Sequence, residues 1–435
     1  MDALPARATV MGLGRFGGGA GVTRWLAAEG VRVRLTDLAD AATLAPALEE
    51  LRPLVEAGVV ELRLGGHDPR DFTDTDLVVA NPAVPRPWAN PHLQAARAAG
   101  VPVTTEIRLL VERLDRTKVV GVTGSAGKST TAAMVHHLLA RDGGRARLGG
   151  NIGGSLLPEL SSMTPDDVVV LEISSAMLYW LGPATTGPGW SPHVAVLTNL
   201  DANHLDWHGT LEHYIQCKEQ IFANQRTGDH AIRAETIGED PPIHLAIPGA
   251  HNQRNAWMAC HAAAAITGVD PATLTAHLQD FRGLPHRLAL VATRNGRRFY
   301  DDSKSTTPAA AVLAVHSFPD PGRVHLIAGG YDKGSDLSAI ADLTRTLAGL
   351  YTVGVTGPGL AARGGDNAFP CETLATAVRT AVARSEPGDI VLLSPGCASW
   401  DQFANYEARG QAFQRLAEEV AMPAGTATRA SAPRP

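Results

Sequence analysis

Short apolar runs that end in glycine or a charged residue, each followed by a stretch of helical periodicity, set the rhythm of this chain. Ala8–Met11 is the first such run. Gly12–Gly19 follows it, then a helical stretch over Ala20–Glu29 and a second run, Val31–Leu35, closing at Asp37. Further strands are expected at Leu77–Ala80, Val119–Val122, Val168–Leu171, Val194–Leu197, Val324–Ala328, Tyr351–Val355 and Ile390–Leu393, with helices between most of them. Apolar strands alternating with helices predict parallel sheets covered on both faces, an α/β fold. Such sheets present their ligand sites at the carboxyl ends of the strands.

The pattern breaks into three blocks, 1–109, 110–284 and 285–422, which suits 435 residues at about 150 per domain. The first block closes in PVTTEIRLLVERL, read as a strand and a helix leading into the second. The last residues, 423–435, are rich in Pro, Ala and Ser and are expected to be a disordered tail. Composition narrows the class: 44% hydrophobic and 19% charged residues describe a soluble globular protein. No apolar run is long enough for a membrane span, and the start lacks the layout of a secretory signal, so a cytoplasmic protein without membrane insertion is expected. A net charge of −6 argues against a nucleic-acid surface. Cys217, Cys260, Cys371 and Cys397 are scattered without a CxxC pair and read as buried, reduced thiols.

The sharpest chemical signal is Gly121-Val-Thr-Gly124-Ser125-Ala-Gly127-Lys128-Ser129-Thr130, set between a strand and a helix. Glycines let backbone amides turn inward around phosphate oxygens, and the helix N-terminus adds partial positive charge. Lys128 reaches the outer phosphates and Ser129 or Thr130 suits Mg2+, so ATP binding is expected here. Gly12-Leu-Gly14-Arg15-Phe16-Gly17 also joins a strand to a helix, with Asp37 at the end of the next strand. That layout fits a dinucleotide or a nucleotide-linked substrate. Glu172 ends a buried strand in the P-loop block, where a carboxylate is placed for a metal, and His204 with its neighbouring acids follows the next strand. Lys218 lies on a helix where a lysine is ordinarily a solvated face residue.

Taken in order, GLGRFGG, GVTGSAGKST, GGNIGG, LEISSAML, LTNLDANHLDWHG, the Lys218 helix, GAHNQRNA, LPHRLALV, DDSKSTT, AGGYDKGSDL and SPGCASWDQFANYEARGQAF resemble the Mur ligases, and among them the glutamate-adding branch. The resemblance spans nearly the whole chain. It implies a Rossmann-like UDP-binding domain, a central P-loop ATPase-type domain and a C-terminal Rossmann-like domain that binds glutamate. It implies an ATP-dependent amide ligase of cytoplasmic peptidoglycan precursor synthesis, joining glutamate to UDP-N-acetylmuramoyl-L-alanine through an acyl phosphate. Two Mg2+ ions and a carbamylated Lys218 belong to that picture, with Ser129 or Thr130, Glu172, His204 and Lys218 around the metals. Asn252 and Asn255 match adenine-site residues; Arg287, Asp302 and Lys304 match residues that close on ATP. Gly14, Arg15, Phe16, Asp37, Asn81 and Asn151 match the UDP-substrate contacts, and Thr306, Lys333, Ser399 and Phe403 the glutamate contacts. A monomer is the expected state.

The chain departs from the family pattern in places. The stretch from Lys218 to His251 is short, so the central sheet is expected to lack part of its strands. NPAVP stands where the family usually has SPG-V-P, and DDSKSTTP replaces the common DSKATN, putting Thr307 where Asn is usual. These changes keep open L-glutamate as the added amino acid. A folylpolyglutamate-type ligase shares the P-loop and the lysine, but not the first glycine block or SPGCASWDQF. An NAD oxidoreductase leaves the P-loop without a role, and a nucleotide-switched binding module predicts slow hydrolysis that substrates do not stimulate.

Overall fold

The computed structural model describes residues 4–13, 18–183, 187–201, 204–239, 241–331 and 334–419. The predicted tail 423–435 lies outside them, as do Gly14, Arg15, Phe16 and Lys333. Three sheets organise the described residues. The first contains β1 (Arg7–Met11), β2 (Arg32–Asp37), β3 (Val60–Leu64), β4 (Leu77–Ala80) and β5 (Val103–Thr104), in the order β3-β2-β1-β4-β5, all parallel. The second contains β6 (Val119–Thr123), β7 (Ala146–Gly150), β8 (Val168–Glu172), β9 (Val194–Leu197) and β10 (His230–Arg233), in the order β10-β9-β6-β8-β7, also parallel. Every residue of β4, β6 and β9 is buried, as expected of strands covered on both faces.

The third sheet contains β11 (Ala289–Arg294), β12 (Arg297–Asp301), β13 (Val324–Gly329), β14 (Gly349–Val353), β15 (Ala368–Glu372) and β16 (Ile390–Leu393), in the order β11-β12-β16-β13-β14-β15. It is mixed: β11 runs antiparallel to β12, whereas the other pairs are parallel. The wholly parallel arrangement read from the sequence missed this hairpin. Arg294-Asn-Gly-Arg297 supplies the turn, with Asn295 and Gly296 both at positive φ as a tight hairpin requires.

The first two sheets pack into one compact unit, and the third forms a second with residues 244–253. In the first unit a common core joins Leu13, Trp25 and Leu35 to Leu109, Leu156, Leu171 and Leu178. Polar ties reinforce it. Ser155 donates to the buried Glu106 carboxyl at 2.6 Å, and the Trp207 indole donates to the Pro82 carbonyl at 3.2 Å. The buried Arg108 guanidinium donates to the carbonyls of Pro188 and Trp180. The third sheet carries one apolar layer on each face, around Leu326, Leu350 and Leu392 on one and Ile327, Tyr351 and Leu393 on the other. That split follows from side chains alternating across a strand. No helix among the described residues is long and apolar enough to cross a membrane.

Candidate active site

In the first sheet the strand order reverses between β1 and β4, and the crevice there is the expected ligand position. Three residues read from the sequence meet at it. The Leu13 amide donates to Asp37 Oδ2 at 2.9 Å, so the acid at the end of β2 holds the glycine turn that follows β1. Asn81 Nδ2, just past β4, donates to the Gly12 carbonyl at 3.3 Å, while its Oδ1 accepts from the Ala83 amide. Gly19 shows why the turn is glycine-rich. A Cβ there would collide with the Gly12 carbonyl and crowd the Leu13 backbone at 2.6 Å, so the helix Gly18–Ala28 approaches the turn only without one.

The P-loop follows β6 and leads into the helix Lys128–Leu139. Gly127 opens that helix at φ +79° and, lacking a side chain, provides no cap to the first-turn amides. Gly124 sits at φ +148°, where a Cβ would strike Thr198 Oγ1. The loop is held from the next strand's end. Asn199 accepts from the Ala126 amide at 2.8 Å and donates to its carbonyl at 3.1 Å, and the Thr198 hydroxyl donates to the same carbonyl. Ser125 Oγ stands 2.8 Å from the Tyr214 hydroxyl. Lys128 Nζ donates back to the Ser125 carbonyl at 3.1 Å. The amide of Asn255 also abuts the loop, with Oδ1 at 2.6 Å from a Cβ placed on Gly127. Asn199, Thr198 and Tyr214 were not picked out from the sequence. Their only signal was position, in the LTNLD segment after a strand and one helical turn before Lys218.

Glu172 and Lys218 complete this end of the sheet. Glu172 is 1% exposed at the end of β8. Its Oε1 accepts from Asn151 Nδ2 at 2.8 Å, whereas its buried Oε2 has no hydrogen-bond partner. Lys218, on the helix Leu211–Ala223, is only 2% exposed, so the solvated-face reading of that position does not hold. Its Nζ donates to the Gly124 carbonyl at 2.7 Å, and among the described residues no carboxylate lies within ion-pair distance. Burial first and the Lys128 charge second lower its pKa to about 7, against the opposing pull of Glu172. His204 is held in a left-handed conformation, φ +51°, at the start of the turn Leu205–His208. Partial desolvation, then the charge of Lys128, lowers its pKa. Ser129 and Thr130 lie in the first helical turn after Lys128. Lys128, Glu172, His204 and Lys218 therefore share one electrostatic neighbourhood at the P-loop.

Next to Lys218 is a feature the sequence reading did not anticipate. His208, His213 and Cys217 bring ring nitrogens and the thiol within 4.8 Å of one another. Burial, then neighbouring His213, lowers His208 to about 4, and burial pushes the Cys217 thiol up to about 12.

The third sheet carries its own cluster. Asp302, just past β12, is 5% exposed and accepts from Ser305, Ser394 and the Leu288 amide. Burial raises its pKa to about 6, against those hydrogen bonds and the Arg287 charge. Lys304 Nζ lies 5.1 Å over the Tyr406 ring. Thr306 lines a small cleft with Tyr331, Thr356, Gly396 and Cys397. Ser399, 3% exposed, follows Ala398, whose carbonyl accepts from the Tyr331 amide at 2.9 Å; Phe403 packs against the core. Arg409 fastens this corner, donating to the carbonyls of Ser303, Cys397 and Ala398 and to Ser303 Oγ. Asn252, on the helix Ala250–Thr267, is buried and donates to the Pro248 carbonyl at 2.6 Å.

Known proteins match most of the chain. Residues 6–105 match the Mur ligase MurD-like N-terminal domain, 122–237 the Mur ligase middle domain and 286–397 the Mur ligase glutamate ligase domain. The chain belongs to the Mur ligase family. UDP-N-acetylmuramoylalanine–D-glutamate ligase of Anaeromyxobacter dehalogenans is 37% identical, with 95% of this chain and 98% of that protein aligned. The protein of the same name from Pelotomaculum thermopropionicum is 35% identical over 94% and 96% of the two chains. Among solved structures, UDP-N-acetylmuramate-alanine ligase MurC of Thermotoga maritima superimposes with a TM-score of 0.57 at 20% identity, covering 95% of this chain and 98% of its own. MurF of Acinetobacter baumannii gives 0.53 at 18% identity, covering 96% and 92%. These two likenesses concern the Mur ligase fold.

Proposed function

We propose that this Mur ligase is an ATP-dependent amide ligase that adds D-glutamate to UDP-N-acetylmuramoyl-L-alanine in peptidoglycan precursor synthesis. The observation that carries the substrate reading is the near-full-length similarity, at up to 37% identity, to ligases bearing that name. The observation that carries the chemistry is the P-loop site with Lys128, Glu172 and Lys218 around one helix start. The acceptor's alanine carboxylate attacks the γ-phosphate of ATP, ADP leaves, and the acyl phosphate is captured by the glutamate amine with loss of phosphate. No protein nucleophile is needed; positioning and charge neutralisation supply the rate.

The loop amides and Lys128 hold the phosphates, and Asn255 and Asn252 are assigned to the adenine side. The donors fit Mg2+: Glu172 Oε2 is a buried carboxylate oxygen without a partner, and Ser129 and Thr130 bring hydroxyls to the same helix start. Glu172, Ser129 or Thr130, His204 and a carbamylated Lys218 are the proposed holders of two ions. When bound, Mg2+ neutralises the phosphate oxygens and polarises the γ-phosphate. Carbamylation joins the neutral Lys218 amine to CO2 with release of a proton. Its burial without a carboxylate partner supports that reading, because the product is an anion beside Lys128.

Asp37 and Asn81, at the first-sheet crevice, are assigned to UDP together with Gly14, Arg15 and Phe16, and Asn151 to the acceptor's reacting end. Arg287, Asp302 and Lys304 are assigned to ATP, and Thr306, Lys333, Ser399 and Phe403 to glutamate, whose carboxylates suit hydroxyl and ammonium donors.

Phosphate release with ATP and UDP-N-acetylmuramoyl-L-alanine is expected to depend on D-glutamate and to stay at background with L-glutamate. Release supported equally by L-glutamate removes the enantiomer assignment, and release independent of the acceptor removes the ligase assignment. Ser399→Ala is expected to raise the KM for glutamate about tenfold, the scale of one charge-assisted hydrogen bond, with the KM for ATP unchanged. Equal increases in both constants would move Ser399 out of the glutamate pocket.

A further inference from the structure

The His208, His213 and Cys217 cluster has no part in the ligase chemistry above, yet it has the character of a soft-metal site. His213 and Cys217 are one helical turn apart on the helix Leu211–Ala223, on the stripe next to the one that carries Tyr214 and Lys218. His208 comes from the preceding turn, Leu205–His208. His208 Nδ1 and His213 Nδ1 are 3.1 Å apart, close to the roughly 3.3 Å edge of a tetrahedron with metal–nitrogen bonds of about 2.0–2.1 Å. Cys217 Sγ lies 3.7 Å from Nε2, the other nitrogen of the His213 ring, and one nitrogen of each histidine lies within 4.8 Å of the sulfur.

The surroundings are those of a metal ligand set. His208 Nε2 is 2.9 Å from Ser175 Oγ, a contact that fixes the ring and leaves Nδ1 toward the cluster, as outer partners of metal-bound histidines do. Trp88, Tyr179 and Trp207 pack around the His213 ring, with the Trp88 centroid at 4.6 Å, and limit water on that side. His208 and Cys217 are buried, and the half-buried His213 provides the way in.

We propose that His208, His213 and Cys217 form a binding site for a thiophilic divalent cation of the Zn2+ class, with the fourth position left to water. Two imidazoles and a thiolate select such an ion over Mg2+, whose preference is for oxygen ligands. Binding converts the Cys217 thiol to a thiolate and releases its proton. It also pins the turn Leu205–His208 to the helix bearing Lys218, so occupancy bears on the neighbouring catalytic lysine.

Titration of the full-length protein with Co2+ is the test. One equivalent is expected to produce visible bands of a tetrahedral ion together with sulfur-to-cobalt charge transfer, all displaced by Zn2+. Cys217→Ser is expected to lose the charge-transfer band, and His213→Gln, at the half-buried position, to weaken Co2+ binding at least tenfold. Glu172→Gln, which alters the phosphate-side donors, is expected to retain the spectrum. Absence of a charge-transfer band in the unaltered protein, or its survival in Cys217→Ser, overturns the proposal. In that event the cluster is a neutral hydrogen-bonded chain from Ser175 to Cys217. Should Cys217→Ser fail to fold, an undiminished Co2+ affinity in His213→Gln is equally decisive against the site.

Discussion

Lys128→Ala is expected to lower ligase turnover by at least about a hundredfold while leaving the fold intact. The magnitude is that of removing one preorganised donor from developing charge in a water-poor site. The fold survives because Lys128 is half-buried and its ammonium is bound to a loop carbonyl, that of Ser125. Losing one such bond costs about 1 kcal/mol. The loop keeps its shape through Asn199, Thr198 and Tyr214, none of which needs the lysine. Phosphate release and thermal unfolding measured on the same preparation separate the two effects. Turnover close to that of the unaltered protein would leave the P-loop without its assigned role.

Lys218→Ala is expected to fall by a similar or larger factor for a different reason. The side chain is almost wholly buried, and its truncation opens a cavity the length of three methylenes and an ammonium below Gly124. Some stability is lost with it, so Tm falls. The same cavity admits a short carboxylic acid, which restores an anion where the carbamate is proposed to be. Acetate or formate is therefore expected to recover part of the activity, and chloride at equal ionic strength none. Full activity without rescue removes the carbamate. A folded variant that stays inactive at all acetate concentrations argues for the unmodified ammonium as the working species.

The chemistry of this protein was more legible in its sequence than its architecture. The P-loop and the strand-end Glu172 could be read because glycine, lysine and carboxylate have little reason to occur together at a buried strand end except to handle phosphate. Lys218 could not be read from pattern alone. A lysine on an amphipathic helix looks solvated until the packing against β6 is known, and only the family resemblance marked it. The ties from Asn199 and Tyr214 to the P-loop were hidden for the same reason: they span roughly 70 to 90 positions. Strands β7 and β15 went unnoticed because one ends in glycines and the other contains Pro370, both poor strand signals. β11 and β12 went unread although Leu288–Ala292 is apolar, because arginines at 294, 297 and 298 interrupt the pattern around the turn. The His208, His213 and Cys217 group was masked by spacing, since two of its members share a helix and the third lies in a neighbouring turn.

Arg409 has a consequence for how this enzyme can change. Its guanidinium is 2% exposed, and burial lowers its pKa to about 10. It is spent wholly on backbone carbonyls and one hydroxyl of the segments leading to Thr306 and Ser399. The frame of the corner is thus specified by main-chain atoms, which no neighbouring substitution alters. Side chains on that frame, proposed to hold glutamate, can drift, in nature or in a directed library, toward a different amino-acid partner without the scaffold having to be reinvented, provided position 409 itself is left alone.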